Sequence, residues 1–195
     1  MGIKIGVLDL QGDVSEHIRS FRFALERMQC AENATVAGVS EAPEIPGLDA
    51  LAIPGGESTT ISRLIQKNGL YRPIQTFSGG IFATCAGMVL MATEVDDPRV
   101  QTLGLMDMTV IRNAFGRQKE SFEAEIEVNA LNSPFHAIFI RAPVVSRCGP
   151  TVVPVAAIDR GVVAVENGLH MAFAFHPELG NDTRLHERFL EKIRV

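Results

Sequence analysis

The first half of the chain alternates short apolar runs with segments of helical periodicity, and this order restricts the possible folds more than any other feature. The runs Ile3 to Leu10, Leu48 to Pro54 and Gly80 to Phe82 each end at a turn or at a loop of small residues, and Thr35 to Val39 is a further predicted strand. The first two lead into segments whose apolar side chains lie three and four residues apart, as in helices with one buried face. Because strands joined by helical crossovers pair in parallel, this half predicts a mainly parallel sheet covered by helices.

The second half, from about Leu105, consists mostly of strand-like segments. The turns Asp159-Arg160-Gly161 and Asn167-Gly168 are typical of hairpins, because glycine adopts positive φ without strain. We expect antiparallel pairing there and a closing helix from Asp182 to Val195. The predicted strands are Met106 to Ile111, Phe122 to Val128, Ala137 to Ile140, Val152 to Ile158, Gly161 to Val165 and His170 to Phe175.

The length of the chain limits the number of domains. A chain of 195 residues supports one well-cored domain, whereas two halves would each be small. We therefore predict a single α/β domain over residues 1–195. It is expected to be a three-layer α/β/α arrangement with a mainly parallel central sheet and antiparallel strands in the C-terminal half.

Charge and cysteine content exclude several function classes. The net charge of −5 gives no basic footprint for nucleic acid, and the apolar runs are too short to span a bilayer. The N-terminus lacks the pattern of an export signal. Three cysteines cannot all pair and lack metal-ligand spacing, which favours a reducing, cytoplasmic setting without a metal. We expect no nucleic acid, no membrane partner and no cofactor.

The segment Ala83-Thr84-Cys85-Ala86-Gly87 lies between a predicted strand and a predicted helix. A side chain at such a turn projects away from its own backbone, and the turn needs small residues two positions before and after it. The start of the helix at Ala86 would add N–H groups that stabilise a thiolate. Cys85 is therefore the first candidate nucleophile. The alternative is a structural role, since free cysteines are often buried as small hydrophobes.

A second loop, Gly55-Gly56-Glu57-Ser58, is predicted at the same edge of the sheet, where open parallel sheets bind their ligands. The uncovered backbone of Gly56 could direct its N–H at a developing oxyanion together with the N–H of Ala86. A tight turn followed by a helix cap at Ser58 or Thr59 explains the same residues without a ligand.

Among the histidines, His176 stands out because a carboxylate follows it at the end of a predicted strand. On an extended backbone Glu178 would point to the same side, fix one ring nitrogen and leave the other to take a proton from a thiol. A strand end with a solvated salt link is the alternative. His17 and His186 lie in predicted helices, and we expect both to be exposed to solvent.

Cys85 together with His176-Pro177-Glu178 resembles the catalytic residues of class I, or triad, glutamine amidotransferases. Further segments resemble the family of glutaminase subunits of pyridoxal 5′-phosphate synthases, over nearly the whole chain and in the family's order. One departure is Ala83, where the family usually has glycine; alanine would be costly there only at positive φ. The segments are Gly6-Val7-Leu8-Asp9-Leu10-Gln11-Gly12, Pro54-Gly55-Gly56-Glu57-Ser58-Thr59-Thr60, Arg112-Asn113-Ala114-Phe115-Gly116-Arg117-Gln118, Ser121-Phe122-Glu123 and Phe139-Ile140-Arg141-Ala142-Pro143.

This resemblance implies hydrolysis of L-glutamine to L-glutamate and ammonia, which passes to a separate synthase subunit that makes pyridoxal 5′-phosphate. Cys85 would form a glutamyl thioester, His176 would protonate the departing ammonia and then activate water, and Glu178 would orient the ring. By the same motifs, the L-glutamine-binding residues would be Gly56, Glu57, Ser58, Arg112, Ile140 and Arg141, with Gly56 and Ala86 as the oxyanion hole and Gln11 as a modulator near the partner interface.

Other functions remain open from the sequence. A glutaminase that serves another synthase, such as imidazole glycerol phosphate synthase, would share the elbow and the triad but not the Arg-Asn-x-Phe-Gly-Arg-Gln segment. A non-catalytic regulatory subunit would not need an intact Cys85, His176 and Glu178. A cysteine hydrolase or peptidase acting alone would need no partner surface. Outside these motifs, Arg112 and Arg141 would be interpreted as surface salt links.

Overall fold

The computed structural model describes residues 2–115, 121–129 and 131–193. The strands are β1 (Lys4–Leu8), β2 (Thr35–Val39), β3 (Ala50–Ile53), β4 (Gly80–Thr84), β5 (Ala92–Val95), β6 (Met106–Ile111), β7 (Ser121–Ile126), β8 (Phe135–Ile140), β9 (Val144–Cys148), β10 (Val153–Ile158), β11 (Gly161–Asn167) and β12 (His170–Phe173). The α-helices are α1 (Val14–Arg27), α2 (Ser58–Lys67), α3 (Tyr71–Gln75), α4 (Ala86–Met91) and α5 (Arg184–Ile193).

Parallel strands form the centre of the main sheet, in the order β2-β1-β3-β4-β12. β3 and β4 are buried at every position, as expected for strands covered on both faces. Thr84 at the end of β4 pairs with Phe173 of β12, and the N–H of Cys85 donates to the carbonyl oxygen of Phe173 at 2.7 Å. Parallel pairing therefore brings the cysteine elbow next to the segment that leaves β12.

Antiparallel pairing extends the sheet beyond β12 through β11, β9 and β6, while β10 pairs with β11 and β5 pairs in parallel with β6. β7 and β8 form a separate antiparallel pair. The predicted fold class is confirmed. Two strands were not predicted: β5 begins inside the apolar run assigned to the helix after Cys85, and β9 contains Ser146 and Arg147, which interrupt its apolar pattern.

The longer helices bury one apolar face each. α1 packs against α5, and α2 packs against α4. α5 buries Leu185, Phe189 and Leu190, as its spacing predicts. In the described part of the chain, none of the helices combines the length and the hydropathy required to cross a bilayer.

The N-terminus of α2 differs from the prediction. The helix begins at Ser58, and the side chain of Glu57 caps it by accepting the backbone N–H groups of Thr59 and Thr60 at 3.2 and 2.7 Å. The predicted cap at Ser58 or Thr59 is wrong, because the longer carboxylate side chain of the preceding residue reaches the unpaired N–H groups of the first turn.

Candidate active site

Cys85 occupies the tip of a sharp turn between β4 and α4. Its φ of 48° is unusual for a residue other than glycine and marks local strain. The turn requires glycine at Gly87, because an added Cβ would lie 2.2 Å from the carbonyl oxygen of Ile53. Ala83 does not have positive φ, so its methyl group causes no backbone strain. The thiol lines a cavity and donates to the carbonyl oxygen of Ile140 at 3.6 Å.

His176 and Glu178 form a buried pair beside the elbow. Nδ1 of His176 lies 2.8 Å from Oε1 of Glu178. The two side chains meet because residues Pro177–Leu179 form a 3-10 turn, so the extended backbone expected there is wrong although the expected contact is present. Among the described residues Nε2 of His176 has no hydrogen-bond partner. This nitrogen is therefore free to exchange a proton with a neighbouring group.

Each member of this pair stabilises the charged form of the other. Burial disfavours the charged imidazole, but contacts with Asp13, Cys85 and Glu178 outweigh burial and raise the pKa of His176. Burial also disfavours the Glu178 carboxylate, but the neighbouring rings of His17 and His176 hold the pKa of Glu178 well below its usual range. The arrangement favours an imidazolium next to a carboxylate.

Two buried side chains surround Glu178 from other parts of the chain. Oγ1 of Thr84 lies 3.2 Å from Oε1 of Glu178 and 3.1 Å from Nε2 of His17. All three side chains are inaccessible to solvent. His186 is also buried and stacks on Phe82, with ring centroids 4.7 Å apart. The predicted exposure of His17 and His186 is wrong, because α1 and α5 pack against each other over the sheet.

Gly55 lies directly against the reactive side chains. A Cβ at this position would be 2.4 Å from Cε1 of His176 and 3.4 Å from Cβ of Cys85. The N–H of Gly55 donates to Oγ1 of Thr84 at 3.0 Å. The absence of a side chain at Gly55 therefore lets the imidazole and the cysteine approach each other.

Gly56 continues this loop along the cavity wall. Its φ is 149°, and a Cβ there would lie 2.6 Å from Oε1 of Gln11. The same oxygen of Gln11 accepts the N–H of Glu57 at 2.9 Å. Gly56 and Ala86 both line the cavity. That the N–H groups of Gly56 and Ala86 form an oxyanion hole stays a prediction. The contacts of Gln11 with this loop place it where it can influence the loop's conformation.

Arg112 lies at the mouth of the cavity between two carboxylates. Its guanidinium pairs with Asp97 through Nη1 and lies 3.2 Å from Oε1 of Glu57 through Nη2. Burial would raise the pKa of Glu57, but hydrogen bonds from Thr59 and Thr60 outweigh it and lower that pKa to about 2. The Glu57 carboxylate is therefore ionised at neutral pH and already serves as a helix cap.

These groups enclose one cavity of about 620 Å³. Glu178 lies behind His176 rather than in the cavity wall, and Arg141, which forms part of that wall, adopts a φ of 47°. The residues Gly116-Arg117-Gln118 of the predicted motif lie outside the described residues. The predicted site residues that line the cavity are Gln11, Gly56, Glu57, Ser58, Cys85, Ala86, Arg112, Ile140, Arg141 and His176.

Sequence reasoning missed Asp13, His17 and Thr84. Oδ2 of Asp13 lies 3.3 Å from Nδ1 of His176, and the only available signal was its position in a loop at the carboxyl edge of the sheet. Ligand atoms of Asp13, His176 and Glu178 lie within 4.8 Å of one another, a spacing that could hold a metal ion. The 2.8 Å contact of Nδ1 with Glu178 is instead a hydrogen bond that occupies the nitrogen a metal would need.

The parallel sheet, the strained cysteine elbow at its carboxyl edge and the buried His–Glu pair together define the class. This is an α/β protein of the class I glutamine amidotransferase type. Residues 7–195 match the SNO glutamine amidotransferase family, and the chain belongs to that family. The predicted family resemblance is confirmed.

Relatives with named functions cover the chain from end to end. Pyridoxal 5′-phosphate synthase subunit PdxT of Methanoregula boonei is 63% identical over 99% of this chain and 100% of its own length. The subunit of the same name from Methanosphaerula palustris is 60% identical over 100% of both chains. A crystal structure of a glutamine amidotransferase superposes with a TM-score of 0.85 at 42% identity, covering 98% of this chain and 99% of that one.

Proposed function

We propose that this chain is the glutaminase subunit of a pyridoxal 5′-phosphate synthase and hydrolyses L-glutamine to L-glutamate and ammonia. The observation that carries the proposal is the buried 2.8 Å contact between His176 Nδ1 and Glu178 Oε1, beside the Cys85 elbow. A carboxylate on one ring nitrogen leaves the other to act as base and acid. The full-length similarity to pyridoxal 5′-phosphate synthase subunits supports the choice of synthase.

In the proposed reaction, the thiol proton of Cys85 already resides on Nε2 of His176, in keeping with the imidazolium that the site favours. The thiolate sulfur of Cys85 attacks the side-chain amide carbon of glutamine. The N–H groups of Gly56 and Ala86 stabilise the oxyanion. The imidazolium then protonates the leaving nitrogen, the C–N bond breaks, and ammonia departs from a glutamyl thioester. In the second half, Nε2 takes a proton from water as the water attacks the thioester, and this proton stays on Nε2 when glutamate leaves and the thiolate re-forms.

Substrate binding is assigned to the mouth of the cavity. Arg112 receives the α-carboxylate of glutamine, because a guanidinium donates two parallel hydrogen bonds to a carboxylate. The ionised Glu57 attracts the α-ammonium group. The remaining wall, formed by Ser58, Ile140 and Arg141, completes the pocket.

The product ammonia is delivered to a synthase subunit that uses it to make pyridoxal 5′-phosphate. Residues 1–195 act as one glutamine amidotransferase domain in this proposal. A cytoplasmic setting suits the reaction, because a reducing compartment keeps the thiol of Cys85 from oxidation. Cys30, Cys85 and Cys148 are not joined by disulfide bonds in the structure, which is consistent with that setting.

The decisive experiment measures ammonia released from L-glutamine with and without the synthase subunit. We expect little release from the isolated chain and a large increase in the complex, because the Gly55-Gly56 loop aligns on docking.

A second experiment tests the nucleophile: Cys85→Ala should abolish ammonia release while assembly with the synthase subunit persists. The matched control is Cys148→Ala, a half-buried cysteine outside the cavity, which should keep full activity. Equal rates with and without the partner would contradict the coupling, and turnover by Cys85→Ala would contradict the nucleophile assignment.

A further inference from the structure

The hydroxyl of Thr84, the residue before the nucleophile, joins three parts of the site. We propose that Thr84 and His17 are positioning residues, which hold Glu178, and through it His176, in a fixed relation to the Gly55 loop. The inference rests on the proposed function, since it concerns the same active site. Neither residue lines the cavity, so each would act only through the groups it contacts.

The hydrogen bonds of Thr84 use the full capacity of its hydroxyl. A hydroxyl donates one hydrogen bond and accepts two. Oγ1 accepts the N–H of Gly55 at 3.0 Å, lies 3.1 Å from Nε2 of His17, and donates to Oε1 of Glu178 at 3.2 Å. Because the N–H of Gly55 can only donate and an ionised Glu178 can only accept, the remaining acceptor position of Thr84 requires a donating Nε2–H on His17. This assignment places a proton on Nε2 of His17.

Three neighbouring side chains converge on one oxygen of Glu178. Oε1 receives Thr84 Oγ1 at 3.2 Å, His176 Nδ1 at 2.8 Å and His17 Nε2 at 3.4 Å. The other oxygen, Oε2, is buried and has no hydrogen-bond partner among the described residues. A network that merely satisfied a buried carboxylate would serve both oxygens. Convergence on Oε1 instead fixes the oxygen that orients the imidazole.

Burial makes this network costly as a purely structural feature. Thr84, His17 and Glu178 are all inaccessible to solvent, and apolar residues of similar volume usually stabilise such an interior at least as well. Hydrogen bonds in a buried, low-dielectric environment also fix the geometry of the groups that make them, which here are Thr84, Nε2 of His17 and Oε1 of Glu178. Retaining a threonine and a histidine here is therefore better explained by the orientation of Glu178 than by stability.

The ionisable groups that face the His176–Glu178 pair come from several elements. Asp13 and His17 approach from the start of α1, Cys85 from the elbow and His186 from α5. Both ring nitrogens of His186 lack hydrogen-bond partners among the described residues, and burial lowers its pKa to about 3, so its ring is neutral. His186 is thus a matched control for His17: an equally buried histidine on a neighbouring helix, without the hydrogen bond to Thr84.

The test compares Thr84→Val with Thr84→Ser in the complex with the synthase subunit. Valine keeps the shape of threonine and removes the hydroxyl, so we expect kcat to fall about 10- to 100-fold with KM for glutamine unchanged. Serine restores the hydroxyl and should recover most of kcat. A rise in KM at unchanged kcat, or a serine variant as impaired as valine, would overturn the proposal.

A second readout needs neither glutamine nor the partner. The rate at which iodoacetamide alkylates Cys85 is followed against pH, in a Cys30→Ala, Cys148→Ala background. Loss of donors to Glu178 destabilises its carboxylate, and a weaker carboxylate stabilises the imidazolium of His176 less. The thiolate of Cys85 then has less support from that imidazolium, so the acid limb of the alkylation profile should move to higher pH in Thr84→Val. The same shift is expected in His17→Leu but not in His17→Gln, whose amide can donate in place of Nε2–H.

The control His186→Leu should leave the alkylation profile unchanged, whatever its thermal stability. An equal shift in His186→Leu and His17→Leu would show a general packing effect and overturn the proposal, as would an unshifted profile in His17→Leu. If the wild-type complex releases no ammonia from glutamine, the proposed function fails, but the alkylation profiles still decide whether Thr84 and His17 position the pair.

Discussion

Two carboxylates near the reactive cysteine sit in opposite surroundings. Glu178 lies behind the imidazole, inaccessible to solvent, with hydrogen bonds from His176 and Thr84. Glu57 lies at the mouth of the cavity with its side chain 48% exposed, shared between a helix cap and Arg112. Both are held in the ionised form, but one is fixed by buried neighbours and the other is in contact with water.

The difference separates orientation from binding. A buried carboxylate cannot exchange its partners without a large desolvation cost, so its geometry is constant through a reaction cycle. Ion pairs at the mouth are weakened by water and salt, and a substrate with charged ends can replace them at little cost. We therefore expect changes behind the imidazole to alter kcat and changes at the mouth to alter KM.

The largest effect should come from Glu178→Gln, which keeps the shape of the side chain and removes its charge. An amide does not enforce the productive tautomer of His176, so kcat should fall by about 10⁴-fold. The loss of kcat is measured by steady-state ammonia release in the complex with the synthase subunit.

Glu166→Gln is the matched control, a nearly buried glutamate that pairs with Arg188 at 2.7 Å and Lys192 at 2.8 Å away from the cavity. It should change stability but not kcat. Comparable losses of kcat in the two variants would refute an orienting role for Glu178.

A smaller loss is expected from Gly55→Ala. The added Cβ would meet Cε1 of His176 at 2.4 Å, and displacement of a catalytic group by about 1 Å can cost about 10²-fold in rate. Gly47→Ala is the control, because no atom lies within 4 Å of its added Cβ. If Gly55→Ala retained wild-type kcat, the close packing of this loop against the imidazole would have no catalytic importance.

Arg112→Gln should mainly raise KM for glutamine. Loss of a charged hydrogen-bond donor to the α-carboxylate costs about 1.5–3 kcal/mol, or about 10- to 100-fold in KM, with kcat little changed. The wild-type KM should also rise with salt concentration, because the mouth is open to solvent. Arg147→Gln, which removes an exposed ion pair to Asp107, should match the wild type. A loss confined to kcat would place Arg112 with the orienting groups instead.

The smallest effect concerns the stability contributed by the Glu57 cap. Its pKa in the folded chain is about 2, below the ordinary value of 4.5, so the stabilisation is complete above pH 4.5 and is lost as pH falls toward 2. Glu57→Gln should lower the unfolding free energy by about 1 kcal/mol at neutral pH. Urea unfolding should show that the difference in unfolding free energy between Glu57→Gln and the wild type shrinks as pH falls from 4.5 toward 2. The control Glu26→Gln, which changes an exposed glutamate on α1, should show no such trend. A pH-independent difference would exclude the charge as its cause.

The sequence predicted the parts of the site that depend on local chemistry. The elbow around Cys85 is marked by small residues next to a buried strand. His176 and Glu178 are close in sequence, so their contact was predicted correctly although the predicted extended backbone between them was wrong. The strands β5 and β9 were missed because apolar periodicity cannot separate a short helix from the strand that follows it, nor identify a strand interrupted by polar residues.

The burial of His17 and His186 was missed for a different reason. Their burial depends on which faces of α1 and α5 meet, and Thr84 contacts His17 and Glu178 across 67 and 94 residues of chain. Such contacts leave no periodic signal in either segment.

Most of the strands and helices, in their order along the chain, and the identity of the reactive groups follow from the amino-acid sequence by itself, because periodicity and turn chemistry act over a few neighbouring residues. The folded chain alone decided which polar side chains lie under the imidazole, which cation faces Glu57, and which oxygen of Glu178 is held. These depend on burial and distance between remote segments, and both quantities exist only once the sheet has brought those segments together.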